Sequence, residues 1–356
     1  MSLTQMKQEL NAAANEKGLS SLPKILFASA ECAPLAKTGG LADVVGTLPK
    51  FLNKLGFDAR VMIPYHSIIK QKYGDQVEYL FSFDISMGWR TKFVGVNRLM
   101  LDKTCIWLIE NEEYFGGDIY IPDYEGEQYA FFTRAVLEAI PRLDFIPHIL
   151  HCNDWHTGMI PLLLKTQYIN SPLAGVKTIM TIHNIAYQGI CGFGFVQDFL
   201  SIPDGCFGLM ERFGQADFLK AGVVMADRVN TVSPSYAREI CTPEYGEGLD
   251  WQLSVRGDVS GITNGIDKTV WNPSKDSHIP VKFSKGKLLG KLQCKTALME
   301  ETGLEIVPNR PLIGMVTRLV EQKGIDIMIG ALDSLLWEND FAFILLGNGN
   351  AAYEDW

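Results

Sequence analysis

The sequence predicts an α/β protein built from two Rossmann-like domains, of which the second is only partly present. Short apolar runs alternate with segments of helical periodicity along most of the chain, a pattern typical of doubly wound parallel sheets. The 356 residues exceed what one hydrophobic core usually organises. A polar, glycine-rich stretch from Thr242 to Gly261 interrupts the alternation. We therefore predict a polar extension at 1–23, a first domain at 24–258 and a partial second domain at 259–356.

The first domain opens with a strand, a glycine loop, a helix and a second strand. Lys24–Ala30 is a compact apolar run of the kind that is buried in parallel sheets. Apolar residues between Leu41 and Leu55 then recur at helical spacing after Gly39-Gly40. Phe57–Pro64 has the composition of the next strand, so the order predicts a right-handed βαβ unit.

The alternation continues through the rest of the chain. Further strands are predicted at Cys105–Ile109, Ile149–Cys152, Val176–Ile182, Asp227–Val232, Pro311–Val316 and Phe341–Leu346. Helices are predicted at Gln128–Ile140, Thr157–Gln167, within Glu211–Met225, and at Ser235–Ile240, Lys287–Met299 and Gly324–Trp337. Ser233-Pro234 favours a helix start, because serine caps helices and proline suits their first position. The second domain then has only about half of a Rossmann sheet, so we expect either a C-terminally incomplete chain or an unusually small second domain.

Composition and charge exclude several function classes. The net charge of -9 without a basic patch argues against a nucleic acid or an anionic membrane as partner. The seven cysteines include no C-x-x-C pair, so neither a zinc site nor a disulfide framework is predicted. The leader Met1–Leu22 lacks the apolar stretch of a signal peptide, and the longest apolar run, Phe341–Leu346, is too short for a membrane span. We predict a cytoplasmic protein with reduced thiols.

Five loops that follow predicted strands are the places to search for a binding site, because open α/β sheets bind ligands at the carboxyl ends of their strands. They are Lys37–Leu41, His151–His156, Thr181–Asn184, Thr317–Gly324 and Gly347–Ala352. The amides of Gly39 and Gly40, with Lys37, suit a phosphate at a helix N-terminus; a tight turn with a solvated lysine is the alternative.

The other four loops also admit a structural interpretation. Around Asp154, hydrogen bonds to the chain or to a sugar are favoured over a metal, because no third ligand follows at a recognisable spacing. His183 alone is compatible with a core histidine. Arg318 and Lys323 bracket a helix start and suit a diphosphate, or else lie in a solvated loop. Gly347 begins a G-x-G-x-x-A segment, which alone is a weak signature.

Taken together, these loops belong to a recognisable set of segments. The set is KILFASAECAPLAKTGGLADVVGTLPK, HCNDWH, TIHNIAYQG, FLKAGVVMADRVNTVSPSYAREI, GITNGID and MVTRLVEQKG. In this order they resemble bacterial glycogen synthases, the starch-synthase-like GT-B glycosyltransferases. The resemblance runs from Lys24 to about Asn350, nearly the whole chain.

The resemblance implies a retaining transfer of glucose from ADP-glucose to the non-reducing 4-hydroxyl of an α-1,4-glucan such as glycogen. It implies a cleft between two Rossmann-like domains, with no metal and no cofactor besides the donor substrate. Chemistry agrees, since Arg and Lys can stabilise a departing phosphate, and a phosphate oxygen can accept the proton of the acceptor.

The resemblance also assigns roles to individual residues. His183 would line the sugar site with its backbone carbonyl facing the reacting carbon, and Arg318 and Lys323 would neutralise the departing diphosphate. The residues expected to contact the nucleotide sugar are Lys37, Gly39, Gly40, Asp43, Asp154, Asn184, Asn264 and Gly347. Asn264 would open the second domain.

One departure from the family bears on activity. An acidic segment around an E-P-C-G-L-like motif, whose glutamates bind the donor sugar, does not occur in this sequence, and neither does a final helix that returns to the first domain. We therefore expect little or no synthase activity from these 356 residues. The alternatives are a transferase that uses UDP-glucose or makes maltose 1-phosphate, and a non-catalytic glucan-binding or regulatory protein. A nicotinamide-dependent dehydrogenase is disfavoured because the first βα turn contains KTGG.

Overall fold

The computed structural model describes residues 2–16, 22–122, 124–307 and 309–356. Residues 17–21 of the predicted extension lie outside this part. The chain divides into two compact units, Met1–Gly265 and Ile266–Trp356, and each is described by itself.

The first unit contains twelve strands and eleven helices among its described residues. The strands are β1 Lys24–Ala28, β2 Asp58–Pro64, β3 Glu78–Met87, β4 Arg90–Leu101, β5 Thr104–Glu110, β6 Ile149–Asn153, β7 Lys177–Ile182, β8 Ile190–Gly192, β9 Glu211–Arg212, β10 Gln215–Asp217, β11 Arg228–Thr231 and β12 Ser260–Gly261. The helices are α1 Leu3–Glu16, α2 Gly40–Leu55, α3 Ser67–Tyr73, α4 Glu112–Phe115, α5 Glu125–Ala139, α6 Met159–Thr166, α7 Phe193–Leu200, α8 Phe207–Met210, α9 Phe218–Met225, α10 Pro234–Glu239 and α11 Asp250–Arg256.

Nine of these strands form one sheet in the order β12-β11-β7-β6-β1-β2-β5-β4-β3. The strands from β12 to β5 pair in parallel, as the alternating pattern predicts. β4 and β3 extend this sheet as an antiparallel edge, which we did not predict. Buried side chains of α5 and α6 belong to the same apolar core as the buried residues of the sheet, and their burial stabilises the unit.

Local signals at several helix ends are confirmed. Ser233 caps α10 by accepting a hydrogen bond from the Tyr236 amide, and Pro234 is its first residue. Gly56 ends α2 in the left-handed conformation, with φ 105°. The predicted polar extension, by contrast, contains helix α1, which the alanine-rich sequence LNAAANE favours.

The second unit has a smaller parallel arrangement. Its elements are α12 Leu289–Glu301, β13 Leu312–Val316, α13 Ile325–Glu338, β14 Ala342–Leu346 and α14 Ala351–Asp355. β13 and β14 pair in parallel around the crossover helix α13, as predicted.

The division between the units falls at Gly265 and not at the predicted residue 258. The reason is β12, which pairs in parallel with β11 and so continues the first sheet. The Ile262 amide adds a 2.9 Å hydrogen bond to the Thr231 carbonyl. Asn264, which we expected to open the second domain, therefore lies in the first unit, one residue before its end.

Two further observations concern the whole described chain. All seven cysteines carry free thiols. Within the described residues, no helix combines the length and the apolarity that crossing a membrane requires.

Candidate active site

The strand order of the large sheet reverses between β1 and β6. From β1 the chain runs to β2 on one side, and it returns to β6 on the other side. In open α/β sheets, ligands bind in the crevice at such a switch point, outside the carboxyl ends of the strands. Three predicted loops follow β1, β6 and β7, so the fold brings Lys37–Leu41, His151–His156 and Thr181–Asn184 to one edge of the sheet.

A buried carboxylate holds the loop after β1. Glu31 is 3% exposed, and its Oε2 accepts hydrogen bonds from the amides of Thr38 at 2.6 Å and Gly39 at 3.2 Å. Its Oε1 accepts from the hydroxyls of Thr38 and Tyr120. One of the two amides that the sequence offered to a phosphate, that of Gly39, is thus already bonded within the protein. The first-turn amides of α2, from Gly40 onward, have no acceptor in the helix and stay available to an anion.

The two glycines at the start of α2 leave open space. A Cβ added at Gly39 or Gly40 would meet no atom within 4 Å. Packing among the described residues therefore does not account for these glycines, and the open space leaves room for a ligand to approach the backbone.

Lys37 forms an exposed ion pair with Asp43, which lies in the first turn of α2. The lysine Nζ is 2.7 Å from Oδ1 and 2.8 Å from Oδ2 of Asp43. Exposed pairs of this kind contribute only about 0–1 kcal/mol. A doubly charged phosphate can therefore replace Asp43 as the partner of Lys37 with little loss of interaction free energy.

Asp154, directly after β6, holds the turn after β7. Its Oδ1 accepts hydrogen bonds from the amides of His183 at 2.7 Å and Asn184 at 3.3 Å. Its backbone has φ 55° and ψ -178°, a region that almost only glycine occupies. Burial raises the pKa of this carboxyl to about 7, against the lowering effect of the two amides. Backbone strain at a buried carboxylate is a feature that clusters at functional sites, so Asp154 belongs to the candidate site.

The hydrogen bonds of His183 fix its tautomer. Its Nε2 lies 3.1 Å from Oδ1 of Asn153. The Asn153 amide nitrogen donates to the carbonyls of Ala28 and His151, both at 3.1 Å, so Oδ1 is the remaining acceptor and Nε2 of His183 carries the hydrogen. Burial lowers the pKa of His183 to about 4, so its ring is neutral at pH 7. The ring therefore supplies shape and orientation at this site, and no positive charge.

The second unit carries a separate cationic loop after β13. Arg318 and Lys323 are exposed, and no described carboxylate forms a salt bridge with either. A short helical turn at Glu321–Lys323 is followed by Gly324, which has φ 69° and directly precedes α13. Two uncompensated cations at the start of a fourteen-residue helix favour binding of a diphosphate.

The loop after β14 supports this cationic loop. The Leu319 amide donates to the Asn348 carbonyl, and the Asn350 amide donates to the Leu319 carbonyl, both at 2.8 Å. A Cβ at Gly347 would lie 2.1 Å from the Thr317 oxygen, and one at Gly349 would lie 2.3 Å from the Leu319 oxygen. Close backbone packing thus accounts for Gly347, which we had assigned to the nucleotide sugar.

The family model of the starch synthase catalytic domain matches residues 24–255. This match includes more than half of the 356 residues, and all three loops at the switch point. The chain belongs to the starch synthase catalytic domain family.

Two curated relatives match a longer part of the chain than the family model does. The glycogen synthase of Streptococcus agalactiae serotype Ia is 44% identical over 337 residues, which cover 93% of this chain and 71% of that protein. The glycogen synthase of Streptococcus mutans serotype c is 44% identical over 338 residues, with the same coverages. The chain is therefore a glycosyltransferase of the glycogen synthase type.

A solved starch synthase shares the fold. The catalytic domain of starch synthase IV from Arabidopsis thaliana, bound to ADP and acarbose, is 28% identical, with a TM-score of 0.85 over 94% of this chain and 70% of that chain. The predicted GT-B class of the starch synthase family is confirmed.

Sequence reasoning missed two residues that hold the loops of the candidate site. Glu31 directly follows the buried strand β1, and an acidic residue at such a strand end was the available signal. Tyr236 accepts a 3.0 Å hydrogen bond from the Ile185 amide, and nothing in the sequence indicates this contact.

Asn264 is exposed in the first unit, and it is distant in sequence from the three loops at the switch point. Among the described residues, no group of three or more His, Cys, Asp or Glu could hold a metal ion.

The packing role of the glycines after β14 predicts a stability effect. Gly349→Ala should destabilise the second unit by about 2–4 kcal/mol, because its methyl group overlaps the Leu319 carbonyl. Gly330→Ala is the matched control, since a Cβ there meets nothing within 4 Å and lies inside α13. It should leave stability unchanged or raise it by up to about 1 kcal/mol. Urea unfolding measures both, and equal stability of the two variants would contradict the packing role.

Buried histidines predict sensitivity to acid. Burial lowers the pKa of His66 and His183 to about 4, and that of His151 and His156 to about 3. The unfolded chain binds these protons near pH 6.5, so the histidines cost stability as the pH falls below that value. Asp154 acts in the opposite direction.

Two carboxyls oppose these four histidines, because burial raises the pKa of Asp154 to about 7 and that of Asp217 to about 6. Each group contributes about 1.4 kcal/mol per pH unit, so acidification from about pH 6.5 to 5 should cost about 3–4 kcal/mol overall. Urea unfolding at the two pH values measures this loss. His156→Gln should reduce the slope by about one proton, and a chain that is equally stable at both pH values would contradict the account.

Proposed function

We propose that this chain transfers glucose from ADP-glucose to the non-reducing 4-hydroxyl of an α-1,4-glucan, with retention of configuration. The observation that carries the proposal is the pair Arg318 and Lys323, two exposed cations without a described carboxylate partner at the start of α13. The 44% identity to glycogen synthases, and the ADP bound to the related starch synthase, support this donor and this acceptor.

In this proposal, different residues stabilise the departing diphosphate and orient the sugar. As the bond between glucose and the diphosphate lengthens, negative charge develops on the departing phosphate, and Arg318 and Lys323 stabilise it. In the first unit, the amides at the start of α2 and the charge of Lys37 also suit a phosphate group. We propose that the transfer needs no metal, because these cations and amides supply the positive charge.

The turn after β7 orients the sugar in this proposal. Asp154 fixes the amides of His183 and Asn184, so the carbonyl of His183 keeps one direction. That carbonyl faces the reacting carbon and stabilises its oxocarbenium character. The departing phosphate oxygen accepts the proton of the acceptor hydroxyl, so no separate protein base takes part.

Donor competition tests the nucleotide preference. Radiolabelled ADP-glucose and UDP-glucose are offered separately, with glycogen or glucose 1-phosphate as the acceptor. Incorporation into glycogen from ADP-glucose, inhibited by ADP more strongly than by UDP, is the expected result. Preferential use of UDP-glucose, or formation of maltose 1-phosphate, would replace this proposal by the corresponding transferase. The predicted cytoplasmic location stays a prediction.

A further inference from the structure

The turn after β7 has a second side-chain anchor besides Asp154. The Ile185 amide donates a 3.0 Å hydrogen bond to the hydroxyl of Tyr236, which lies 51 residues further along the chain. Three successive amides, those of His183, Asn184 and Ile185, are thus bonded to side chains. Asp154 holds the first two of them, and Tyr236 holds the third.

Peptide geometry turns these amide bonds into a constraint on the carbonyl of His183. In a trans peptide unit, the N–H and the preceding C=O point in opposite directions within one plane. The unit that carries the His183 carbonyl ends in the Asn184 amide, whose 3.3 Å bond to Asp154 is the longest of the three. The unit before it is held by the 2.7 Å bond of the His183 amide, and the unit after it by the 3.0 Å bond to Tyr236. The direction of the carbonyl therefore depends on Tyr236 as well as on Asp154.

Burial makes the bond between Ile185 and Tyr236 costly to lose. Ile185 is 3% exposed, and the ring of Tyr236 packs against the apolar core to which Ile185 belongs. Without the phenol oxygen, the Ile185 amide would have no described acceptor, and an unpaired buried amide is unfavourable. The turn would then shift until this amide reached water or another acceptor.

The backbone of Tyr236 is itself fixed to the sheet. Its amide donates to the Ser233 hydroxyl, which caps α10. This helix follows β11, and β11 pairs in parallel with β7. At the end of β11, the Thr231 hydroxyl donates a 2.8 Å hydrogen bond to the Ile182 carbonyl, directly before the turn. The neighbouring strand and helix thus hold the turn from two directions.

We propose that Tyr236 is a positioning residue for glucosyl transfer, whose hydroxyl fixes the direction of the His183 carbonyl through the Ile185 amide. The inference rests on the proposed function for the role of that carbonyl at the reacting carbon. Tyr236 touches neither the donor nor the acceptor. Its hydroxyl therefore affects the rate of transfer and leaves the affinity for both substrates nearly unchanged.

Tyr236→Phe tests this role, because it removes one oxygen atom and keeps the packed ring. We expect kcat to fall about ten- to a hundredfold, while the KM values for the nucleotide sugar and for the glucan stay within a factor of about two. Steady-state kinetics are measured with whichever of ADP-glucose and UDP-glucose the wild-type chain uses. Circular dichroism and urea unfolding show whether the variant is folded and how much stability it loses.

Tyr168→Phe is the matched control. Tyr168 is 7% exposed, and its hydroxyl donates a 2.7 Å hydrogen bond to Glu138. It follows α6, which returns the chain toward the beginning of β7, so it lies at the opposite end of the strands from the turn. This variant should also lose stability, since it too breaks a buried hydrogen bond, but its kcat should equal that of the wild type.

Amide hydrogen exchange tests the positioning without any turnover. Tyr236→Phe should speed exchange of the Ile185 amide at least about tenfold, whereas Tyr168→Phe should leave it unchanged. Combining Tyr236→Phe with Asp154→Asn should lower kcat by less than the product of the two single losses, because both side chains hold the same turn.

The outcomes separate this inference from the proposed function. Faster exchange at Ile185 together with a lower kcat at unchanged KM supports the inference. A kcat for folded Tyr236→Phe equal to that of Tyr168→Phe, or unchanged exchange at Ile185, overturns it and leaves glucosyl transfer intact. Use of UDP-glucose by the wild-type chain overturns the proposed donor, and the same comparison of variants then decides the role of Tyr236 with that donor.

Discussion

Replacing Arg318 or Lys323 by alanine is expected to lower kcat for glucosyl transfer by about two to three orders of magnitude, because each variant removes a fixed cation from the departing diphosphate. Glucan affinity should stay within a factor of about two, since neither side chain contacts a neutral acceptor in the proposal. Arg318→Lys should recover part of the loss, because lysine keeps the charge but not the planar fork of arginine.

Arg310→Ala is the matched control for these variants. Arg310 lies in the second unit, before β13, and its guanidinium is already paired with Asp340 at 2.7 Å and Glu305 at 3.4 Å. Its removal should change stability slightly and leave kcat unaltered. Steady-state kinetics with ADP-glucose and maltohexaose measure all four variants. Unchanged turnover in both Arg318→Ala and Lys323→Ala would mean that the phosphate site lies elsewhere.

Removing the carboxylate of Asp154 should lower kcat by at least about a hundredfold, because the turn that carries His183 then loses its fixed orientation. Asp154→Asn should lose less than Asp154→Ala, since an amide oxygen can accept the same hydrogen bonds. Asp154→Gly separates the effect of backbone strain on stability from the effect of the carboxylate on activity. It relieves the backbone at φ 55°, so stability should hold or rise while activity falls.

Asp227→Asn is a control for this carboxylate at the opposite end of β7. Asp227 accepts a 2.8 Å hydrogen bond from the Thr178 amide near the beginning of that strand. Its loss should reduce stability and leave the ratio of kcat to KM for the donor unchanged. Thermal unfolding and kinetics measure the two effects separately. If Asp154→Ala and Asp227→Asn reduced activity equally, Asp154 would have only a structural role.

Sequence reasoning was sufficient where local chemistry decides the structure. The cap at Ser233, the glycine end of α2 and the β13–α13–β14 crossover all depend on residues close together in the chain, and all are present. The β3–β4 hairpin was missed because one of its faces is largely exposed and shows no continuous apolar run. The boundary at Gly265 depends on β12, a strand of two residues that no pattern reveals.

The candidate site shows the same limit. Lys37, Asp154 and His183 were found because they follow strands, and the carboxyl ends of parallel strands meet at one edge. Their partners depend on tertiary contacts. Nothing in the sequence shows that the Glu31 carboxylate accepts hydrogen bonds from the amides of Thr38 and Gly39, because a loop separates Glu31 from them in the chain. The assignment of Gly347 to the donor stays a prediction, because a glycine required for packing and one required for a ligand look alike in sequence.

The most direct test of the central claim is the product formed from maltohexaose and ADP-glucose. Mass spectrometry and NMR spectroscopy of the reaction mixture identify the sugar and the new linkage. The account predicts maltoheptaose with a new α-1,4 bond and release of one ADP per glucosyl unit, even if turnover is slow. A β-linked product, or maltoheptaose formed from UDP-glucose and not from ADP-glucose, would contradict it.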